Sequence, residues 1–167
     1  EVEALGQCKI PFEIVPGITV ALASSSYTGV PVTHRECSSA VALVTGHEDA
    51  GKSQSSLDYE ALAKFPGTLA IYMGVTSAER WTTALLEGGK PAETPVLIVR
   101  RCSFPDQETF SCRLDQVAEQ LSRDSGIRPP VVVIIGAVTD LPRTVSWFEE
   151  RPLFGKRVMV TRPSSST

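Results

Sequence analysis

The sequence lacks most of the short signatures that assign an activity directly. It contains no dinucleotide-binding G-x-G-x-x-G, no metalloprotease H-E-x-x-H and no nucleophile-elbow G-x-S-x-G. No apolar run approaches the roughly 20 residues that cross a membrane. The acidic start Glu1-Val2-Glu3 differs from a signal peptide, which opens with basic and then apolar residues. The four cysteines show no C-x-x-C spacing, which argues against a zinc site or a redox pair. We therefore expect free thiols in a reducing, cytoplasmic environment, and no metal.

Composition and charge are those of an ordinary globular domain. The chain has 167 residues, of which 42% are hydrophobic and 21% are charged. It is too apolar for a disordered protein and has the length of about one domain. The formal net charge of −3 argues against binding to nucleic acid, which requires a basic face.

Several apolar runs have the length and character of buried strands. They cover residues 40–45, 68–73, 95–100 and 131–135. Residues 108–114 alternate instead, with Phe110, Cys112 and Leu114 on one face. The turn sequence Pro105-Asp106-Gln107 precedes them, so we expect an antiparallel hairpin with residues 95–103.

Helical spacing separates these strands. Apolar or small residues recur at helical intervals in four sets: Ile18, Ala21, Leu22 and Ser25; Leu57, Ala61 and Phe65; Ala78, Trp81 and Leu85; and Leu114, Val117, Ala118 and Leu121. Strands that alternate with helices predict an α/β domain. The hairpin makes its sheet mixed, with about five strands flanked by helices.

Both ends of the chain resemble parts of something larger. Residues 11–15 are predicted to form a strand almost at the start. Residues 155–161 are predicted to begin a fresh strand that has no partner in the chain, followed by a serine-rich end. Residues 47–56 are polar and contain glycine, which predicts a mobile surface loop.

The first segment that could bind a ligand is Val15-Pro16-Gly17-Ile18-Thr19. A Pro-Gly turn leads into a helix near Thr19. The free N–H groups of that helix start could bind a polar or anionic group, or Thr19 could simply cap the helix.

Two further segments follow predicted elements. Arg35, in the loop before the strand at residue 40, offers a fork of donors for carboxylates, or it is a solvated surface arginine. His34 beside it is a candidate general base or a hydrogen-bonded structural residue. Met73 and Gly74 end a strand, where open α/β sheets bind ligands. There Gly74 permits close approach, and Met73 could contact an adenine or a thioether or belong to the core. Cys102 ends the next strand, without a neighbour in sequence that would activate its thiol.

Four strings in these segments resemble the tetrapyrrole methylases, and within that family the uroporphyrinogen-III C-methyltransferases. They are PFEIVPGIT at 11–19, GVPVTHR at 29–35, VTGHE at 44–48 and YMG at 72–74. They have the order and spacing of the family, and the resemblance extends over residues 1–148.

The resemblance implies transfer of methyl groups from S-adenosylmethionine to carbons 2 and 7 of uroporphyrinogen III. The product, precorrin-2, leads to siroheme and cobalamin. Members of the family have two α/β domains, bind the donor in the cleft between them, and usually form homodimers. This chain is similar to the second domain, so the catalytic residues of the family are expected in a domain upstream.

Individual positions follow from the same resemblance. Thr19 and Val20 match a Thr-Ala pair that contacts the methyl donor, and Met73, followed by Gly74, matches a donor-contacting methionine. Cys102 stands where many relatives have a glycine that approaches the donor. Arg35, with His34 beside it, matches an arginine that faces the tetrapyrrole, whose eight carboxylates require cations.

The end of the chain has a second resemblance. Residues 153–163 are similar to the opening strand of uroporphyrinogen-III synthases. This implies a methylase domain over residues 1–150, and a linker with the start of a following synthase domain over residues 151–167.

Other readings remain open at this point. The chain could belong to a methylase that acts on a cobalt-corrin precursor, or to a diphthine synthase. A reading from another class is a non-catalytic module that binds a tetrapyrrole or a partner domain.

Overall fold

One mixed sheet organises the chain, and helices cover both of its faces. The computed structural model describes residues 1–48, 55–142 and 147–161. The strands are β1 (Val41–Thr45), β2 (Thr68–Tyr72), β3 (Pro95–Arg100), β4 (Glu108–Arg113) and β5 (Val131–Ile135). The helices are α1 (Val2–Gln7), α2 (Val20–Thr28), α3 (Tyr59–Ala63), α4 (Ala78–Glu87) and α5 (Val117–Gln120), and 3-10 turns cover Leu114–Gln116, Arg123–Ser125 and Ala137–Asp140.

The strand order is β1-β2-β5-β3-β4, so the last strand lies in the middle of the sheet. β1 and β2 are parallel, whereas β5 is antiparallel to both of its neighbours. β3 and β4 form the predicted antiparallel hairpin. The α/β class and the mixed sheet flanked by helices are confirmed.

Alternating residues of the central strands face two separate cores, as expected for strands buried on both sides. On one face, Leu69, Ile71 and Ile98 pack with Trp81 and Leu85 of α4. On the other face, a smaller core of strand residues packs with Ala21 of α2 and Val138 of the last 3-10 turn. The predicted inward face of α4 is confirmed, because Ala78, Trp81 and Leu85 are all buried.

The predicted apolar face of α2 is wrong. Ile18 precedes the helix and is 83% exposed, and Leu22 is 50% exposed. The buried residues are Ala21, Ser24 and Thr28. The hydroxyls of Ser24 and Thr28 donate to backbone carbonyls of the helix itself, at 2.8 and 2.7 Å. These polar side chains can therefore face the sheet without an unpaired donor.

Two of the predicted helices are shorter in the structure than in the prediction. The pattern at residues 57–65 gives only α3, which begins after Asp58, whose side chain accepts from the N–H of Ala61 at 2.9 Å. The pattern at residues 114–121 gives a 3-10 turn followed by α5, with Leu114, Val117 and Leu121 buried and Ala118 partly exposed.

The strand predicted at residues 11–15 is also wrong, whereas residues 155–161 were expected to have no partner in the chain, and no strand forms there among the described residues. Residues 11–15 and 156–161 pair with no described strand. Val15 is 85% exposed and Met159 is 86% exposed. A β-strand requires a neighbour for its backbone N–H and C=O groups, and neither segment has one in the described part of the chain.

Candidate functional site at the carboxyl edge of the sheet

β1, β2 and β3 all end at the same edge of the sheet, which we call the carboxyl edge. β5 begins there, because Val131 pairs with Arg100, the last residue of β3, and Val132 pairs with Tyr72, the last residue of β2. The segments that follow β1, β2 and β3 therefore converge. In open α/β sheets, this edge is where ligands bind.

Two cavities lie at the carboxyl edge. The Met73 cavity has a volume of about 470 Å³ and is lined by Val20, His47, Tyr72, Met73, Val75, Thr76, Pro129, Pro130 and Val131. The Cys102 cavity has about 180 Å³ and is lined by Val20, Val99, Cys102, Phe104, Pro130, Val131 and Val132. Three residues, Val20, Pro130 and Val131, belong to both walls. Neither wall includes a carboxylate, a lysine or an arginine from the described residues, so these cavities suit an apolar or aromatic group.

The structure brings the predicted donor-binding residues together. Val20 lines both cavities, Met73 lines one, and Cys102 lines the other. Thr19 is the residue before α2, and Gly74 is the buried residue after Met73. Met73 is 64% exposed, so the alternative of a buried core methionine is wrong.

Strained backbone conformations mark the same edge. Among described residues other than glycine, positive φ angles occur at Lys9, Met73, Arg101 and Ser103. The φ angles are 51° at Met73, 49° at Arg101 and 71° at Ser103, and these residues lie within three positions of the ends of β2 and β3. Such conformations cost energy and cluster at ligand sites, where neighbouring contacts hold them.

Tyr72 fixes the start of α2 against the sheet. Its hydroxyl accepts a hydrogen bond from the N–H of Ala21 at 2.9 Å and forms a short hydrogen bond with the hydroxyl of Thr19. Thr19 therefore occupies the N-cap position without capping through its side chain. Sequence reasoning missed Tyr72 as a site residue. Its signal was a tyrosine at the end of a buried strand, where the hydroxyl needs a partner.

Gly74 lies against both α4 and the segment after β1. The indole N–H of Trp81 donates to the carbonyl of Gly74 at 2.9 Å. A Cβ at Gly46 would lie 2.6 Å from the Cα of Gly74. The two glycines allow the chain ends of β1 and β2 to approach this closely, which fixes the position of Met73.

Burial makes Cys102 a poor nucleophile. Its thiol is partly buried, and this desolvation raises its pKa to about 11. A thiol with that pKa stays protonated at neutral pH, and the thiolate is the reactive form. Cys102 is therefore a wall residue of its cavity rather than a catalytic one.

Alkylation is expected to distinguish the partly buried Cys102 from the exposed cysteines. Iodoacetamide at pH 8 should modify the exposed Cys8 and Cys37 well before Cys102, because about one Cys102 thiol in a thousand is then ionised. Peptide mass spectrometry over time measures each rate. The rate at Cys102 should keep rising up to about pH 11, and equal rates for Cys102 and Cys37 at pH 8 would contradict the raised pKa.

His34 and Arg35 lie at the opposite edge of the sheet. The N–H of His34 donates to the carbonyl of Ser38 at 2.8 Å, and the hydroxyl of Ser38 is 2.8 Å from that of Thr68, the first residue of β2. Arg35 is exposed in the turn between them. Within one chain, the structure does not bring these two residues to the cavities.

The polar segment after β1 contains the sequence pattern of a phosphate-binding loop. Residues 46–53 spell the G-x-x-x-x-G-K-S of phosphate-binding loops, in which the Lys and Ser open a helix. Residues 49–54, and with them most of the predicted mobile loop, lie outside the described residues. Residues 55–58 are not helical, and α3 begins only at Tyr59. We therefore assign no phosphate site to this pattern.

The described residues contain neither a cluster of metal ligands nor a membrane-spanning helix. No three or more side chains of His, Cys, Asp or Glu converge there as a metal site would require. None of the helices there is both long and apolar enough to cross a membrane.

Comparisons with known proteins identify the family. The model of the Tetrapyrrole (Corrin/Porphyrin) Methylases matches residues 1–118. The S-adenosyl-L-methionine-dependent uroporphyrinogen III methyltransferase of Methanosarcina barkeri is 43% identical over 141 residues, which are 84% of this chain and 55% of that protein. The siroheme synthase of Zymomonas mobilis is 40% identical over 151 residues, which are 90% of this chain and 31% of that protein.

A solved structure has the same fold. The uroporphyrin-III C-methyl transferase from Thermus thermophilus, complexed with S-adenyl homocysteine, superposes with a TM-score of 0.68 at 34% identity, over 83% of this chain and 58% of that one. The chain thus spans between about a third and just over half of the length of these relatives. The resemblance in the sequence strings is confirmed, and the chain belongs to the tetrapyrrole (corrin/porphyrin) methylase family.

Proposed function

We propose that this chain forms the donor-binding part of a uroporphyrinogen-III C-methyltransferase that uses S-adenosylmethionine. The observation that supports it most directly is the convergence of Val20, Met73 and Cys102 on two apolar cavities that share a wall. Methylation of uroporphyrinogen III at carbons 2 and 7 gives precorrin-2 for siroheme and cobalamin. The names of the relatives from Methanosarcina barkeri and Zymomonas mobilis agree with this reaction.

The cavities fit the apolar parts of the methyl donor. Met73 is unbranched and polarisable, so it adapts to a flat purine or to a thioether. The side chain of Val20 lies on the wall that both cavities share and would contact a ligand that extends from one into the other. The bond from Tyr72 to the N–H of Ala21 holds Val20 in place for that contact.

The catalytic groups are proposed to come from a preceding domain of the longer enzyme. The walls of the Met73 and Cys102 cavities supply no carboxylate, lysine or arginine from the described residues. Three apolar residues of the segment before α2 are exposed to solvent: Phe12 is 43% exposed, Ile14 is 72% exposed and Ile18 is 83% exposed. Apolar side chains this exposed in one segment favour a covering protein surface, and the preceding domain is the occupant that we propose.

A homodimer in the cytoplasm completes the proposal. Arg35 and His34 remain proposed contacts of the tetrapyrrole on the basis of the family resemblance. Since they lie at the edge opposite Met73, they would reach a substrate at the carboxyl edge only from a second copy of the chain. No metal is assigned a role in the reaction.

Residues 151–167 are proposed to be a linker and the start of a synthase domain. The rings of Phe148 and Phe154 pack edge to face with centroids 5.3 Å apart. The first residues of the proposed linker therefore still contact the methylase domain.

The test of the proposed function is turnover by the full-length enzyme. Uroporphyrinogen III and methyl-labelled S-adenosylmethionine should give labelled precorrin-2. Transfer to a cobalt-corrin precursor, with none to uroporphyrinogen III, would overturn the substrate assignment. An intact enzyme that binds a tetrapyrrole and transfers no methyl group would indicate a binding module.

Replacing Met73 should weaken donor binding. In the full-length enzyme, Met73→Ala should cost about 1–2 kcal/mol, the scale of one buried apolar contact, which is roughly a five- to thirtyfold increase in Kd. Calorimetry with S-adenosylhomocysteine measures it. Met159→Ala is the matched control, because Met159 is 86% exposed and lines neither cavity. An unchanged Kd for Met73→Ala would remove Met73 from the donor site.

A further inference from the structure

A third cavity adjoins the Met73 cavity on the side of α4. It has a volume of about 560 Å³ and shares Val75, Thr76 and Pro129 with the Met73 cavity. The rest of its wall is formed by Ala78, Glu79, Ala118, Leu121, Ser122, Arg123 and Arg128. We call it the arginine cavity, because it is the one of these three cavities in which the described residues contribute guanidinium groups.

The fold holds Arg128 in place. Its guanidinium donates to the carbonyl of Ile127 at 3.1 Å and to the carbonyl of Arg123 at 2.5 Å. These bonds leave the charge without a counter-ion and fix the orientation of the group. A cation held in this way loses little conformational freedom when it binds an anion.

Neither Arg123 nor Arg128 has a carboxylate partner among the described residues. Other arginines near the same edge do, because Arg100 pairs with Glu108 at 2.7 Å and Arg101 with Asp106 at 2.6 Å. The guanidinium of Arg123 makes no hydrogen bond to any described residue, which leaves all its donors available to a ligand.

The charge of the wall favours an anion. Glu79 is the one acidic residue on it, against two arginines. Ala78 and Glu79 are the first residues of α4, whose N-terminus adds a partial positive charge. The wall is thus net positive in a chain whose formal net charge is −3.

We propose that the arginine cavity binds carboxylate side chains of the substrate while the methyl donor occupies the neighbouring Met73 cavity. This rests on the proposed function, which supplies a tetrapyrrole with eight carboxylates. The planar fork of arginine matches a carboxylate through two parallel N–H···O bonds. The shared wall of Val75, Thr76 and Pro129 places these cations next to the donor, and on the same edge of the sheet. Arg123 and Arg128 then determine specificity for acidic tetrapyrroles.

The cavity could also take the amino-acid end of the donor, which has one carboxylate and one ammonium group. Glu79 would face the ammonium group in that case. The two ligands predict different losses. If the amino-acid end of the donor binds in this cavity, removal of the arginines weakens donor binding. Otherwise their removal weakens only the binding of the substrate.

The experiment uses the full-length enzyme with Arg123→Gln, Arg128→Gln and the double variant. Each single substitution should lower kcat/KM for uroporphyrinogen III about tenfold, and the double variant about a hundredfold, as expected for charge-assisted bonds. The Kd of S-adenosylhomocysteine should stay within twofold of its original value. Arg80→Gln is the matched control, because Arg80 lies on α4 outside the cavity wall, and it should leave kcat/KM unchanged.

Comparison of the two single variants distinguishes a loss of stability from a loss of substrate binding. Arg128→Gln removes hydrogen bonds to the backbone and is expected to lower the Tm, whereas the guanidinium of Arg123 has no such bonds. An Arg123→Gln enzyme with unchanged Tm and reduced kcat/KM supports the proposal. If the double variant keeps its kcat/KM, or if the Kd of S-adenosylhomocysteine rises in step with the loss, the proposal is overturned. A parent enzyme without turnover would instead overturn the proposed function itself.

Discussion

Incubated without the rest of the enzyme, the 167-residue chain is expected to transfer no methyl group to uroporphyrinogen III. The chain spans 55% of the Methanosarcina barkeri methyltransferase, and its two apolar cavities contain no carboxylate, lysine or arginine from the described residues. A donor bound there would lack the groups that activate the substrate and would remain open to water. Removal of a catalytic constellation costs several orders of magnitude in rate.

The measurement is the incorporation of label from methyl-labelled S-adenosylmethionine, compared with a blank without protein. The full-length enzyme is the positive control. A cooperative thermal transition of the isolated chain shows whether it is folded, so that inactivity is not confused with unfolding. Clear turnover by the isolated chain would mean that the catalytic groups lie within these residues, and it would overturn the assignment of catalysis to a preceding domain.

Local patterns predicted the sheet because the strands are buried on both faces. β2, β3 and β5 are short continuous apolar runs, and runs of this length are typical of strands that are buried on both faces of a sheet. Their order in the sheet was not predictable in this way. β5 inserts between β2 and β3, and nothing in the local pattern of residues 131–135 specifies its neighbours.

Predictions failed where partners, rather than periodicity, decide the structure. α2 turns Ala21, Ser24 and Thr28 inward because internal hydrogen bonds satisfy its hydroxyls, so the apolar spacing of Ile18 and Leu22 was misleading. Residues 11–15 have a strand-like sequence, but they find no pairing neighbour in the described part of the chain. Residues 155–161 were expected to lack a partner in the chain, and they pair with no described strand.

The site was partly predictable for a different reason. The family resemblance, compared position by position, selected Val20, Met73 and Cys102 from distant parts of the chain. The parallel pairing of β1 and β2 and the position of β5 bring these residues to one edge. Arg123 and Arg128 were missed, because an isolated arginine between the longer helices and strands has no sequence signal until the fold places it beside a cavity. Tyr72 was quoted only as part of a string, since its bond to the N–H of Ala21 depends on how α2 lies on the sheet.

A single methyl group at Gly46 is expected to disrupt the carboxyl edge. In Gly46→Ala, the new Cβ would lie 2.6 Å from the Cα of Gly74 and 3.0 Å from the Cγ2 of Ile71. Neither side can move freely. The N–H of Gly46 donates to the carbonyl of Tyr72 at 2.7 Å, and Gly74 accepts from Trp81, which is 1% exposed.

Such overpacking typically costs about 1–3 kcal/mol, which lowers the Tm of a domain of this size by roughly 2–4 °C per kcal/mol. The displaced Gly74 also moves Met73, so the Kd of S-adenosylhomocysteine in the full-length enzyme should rise by up to the roughly five- to thirtyfold expected for Met73→Ala. Gly6→Ala is the matched control, because a Cβ there meets nothing within 4 Å and Gly6 lies in α1. That variant should keep its affinity and gain slightly in stability, since alanine favours helix. If Gly46→Ala has the Tm and the Kd of the parent enzyme, the close approach of Gly46 and Gly74 does not hold Met73 in place, and the geometry assigned to the donor site is wrong.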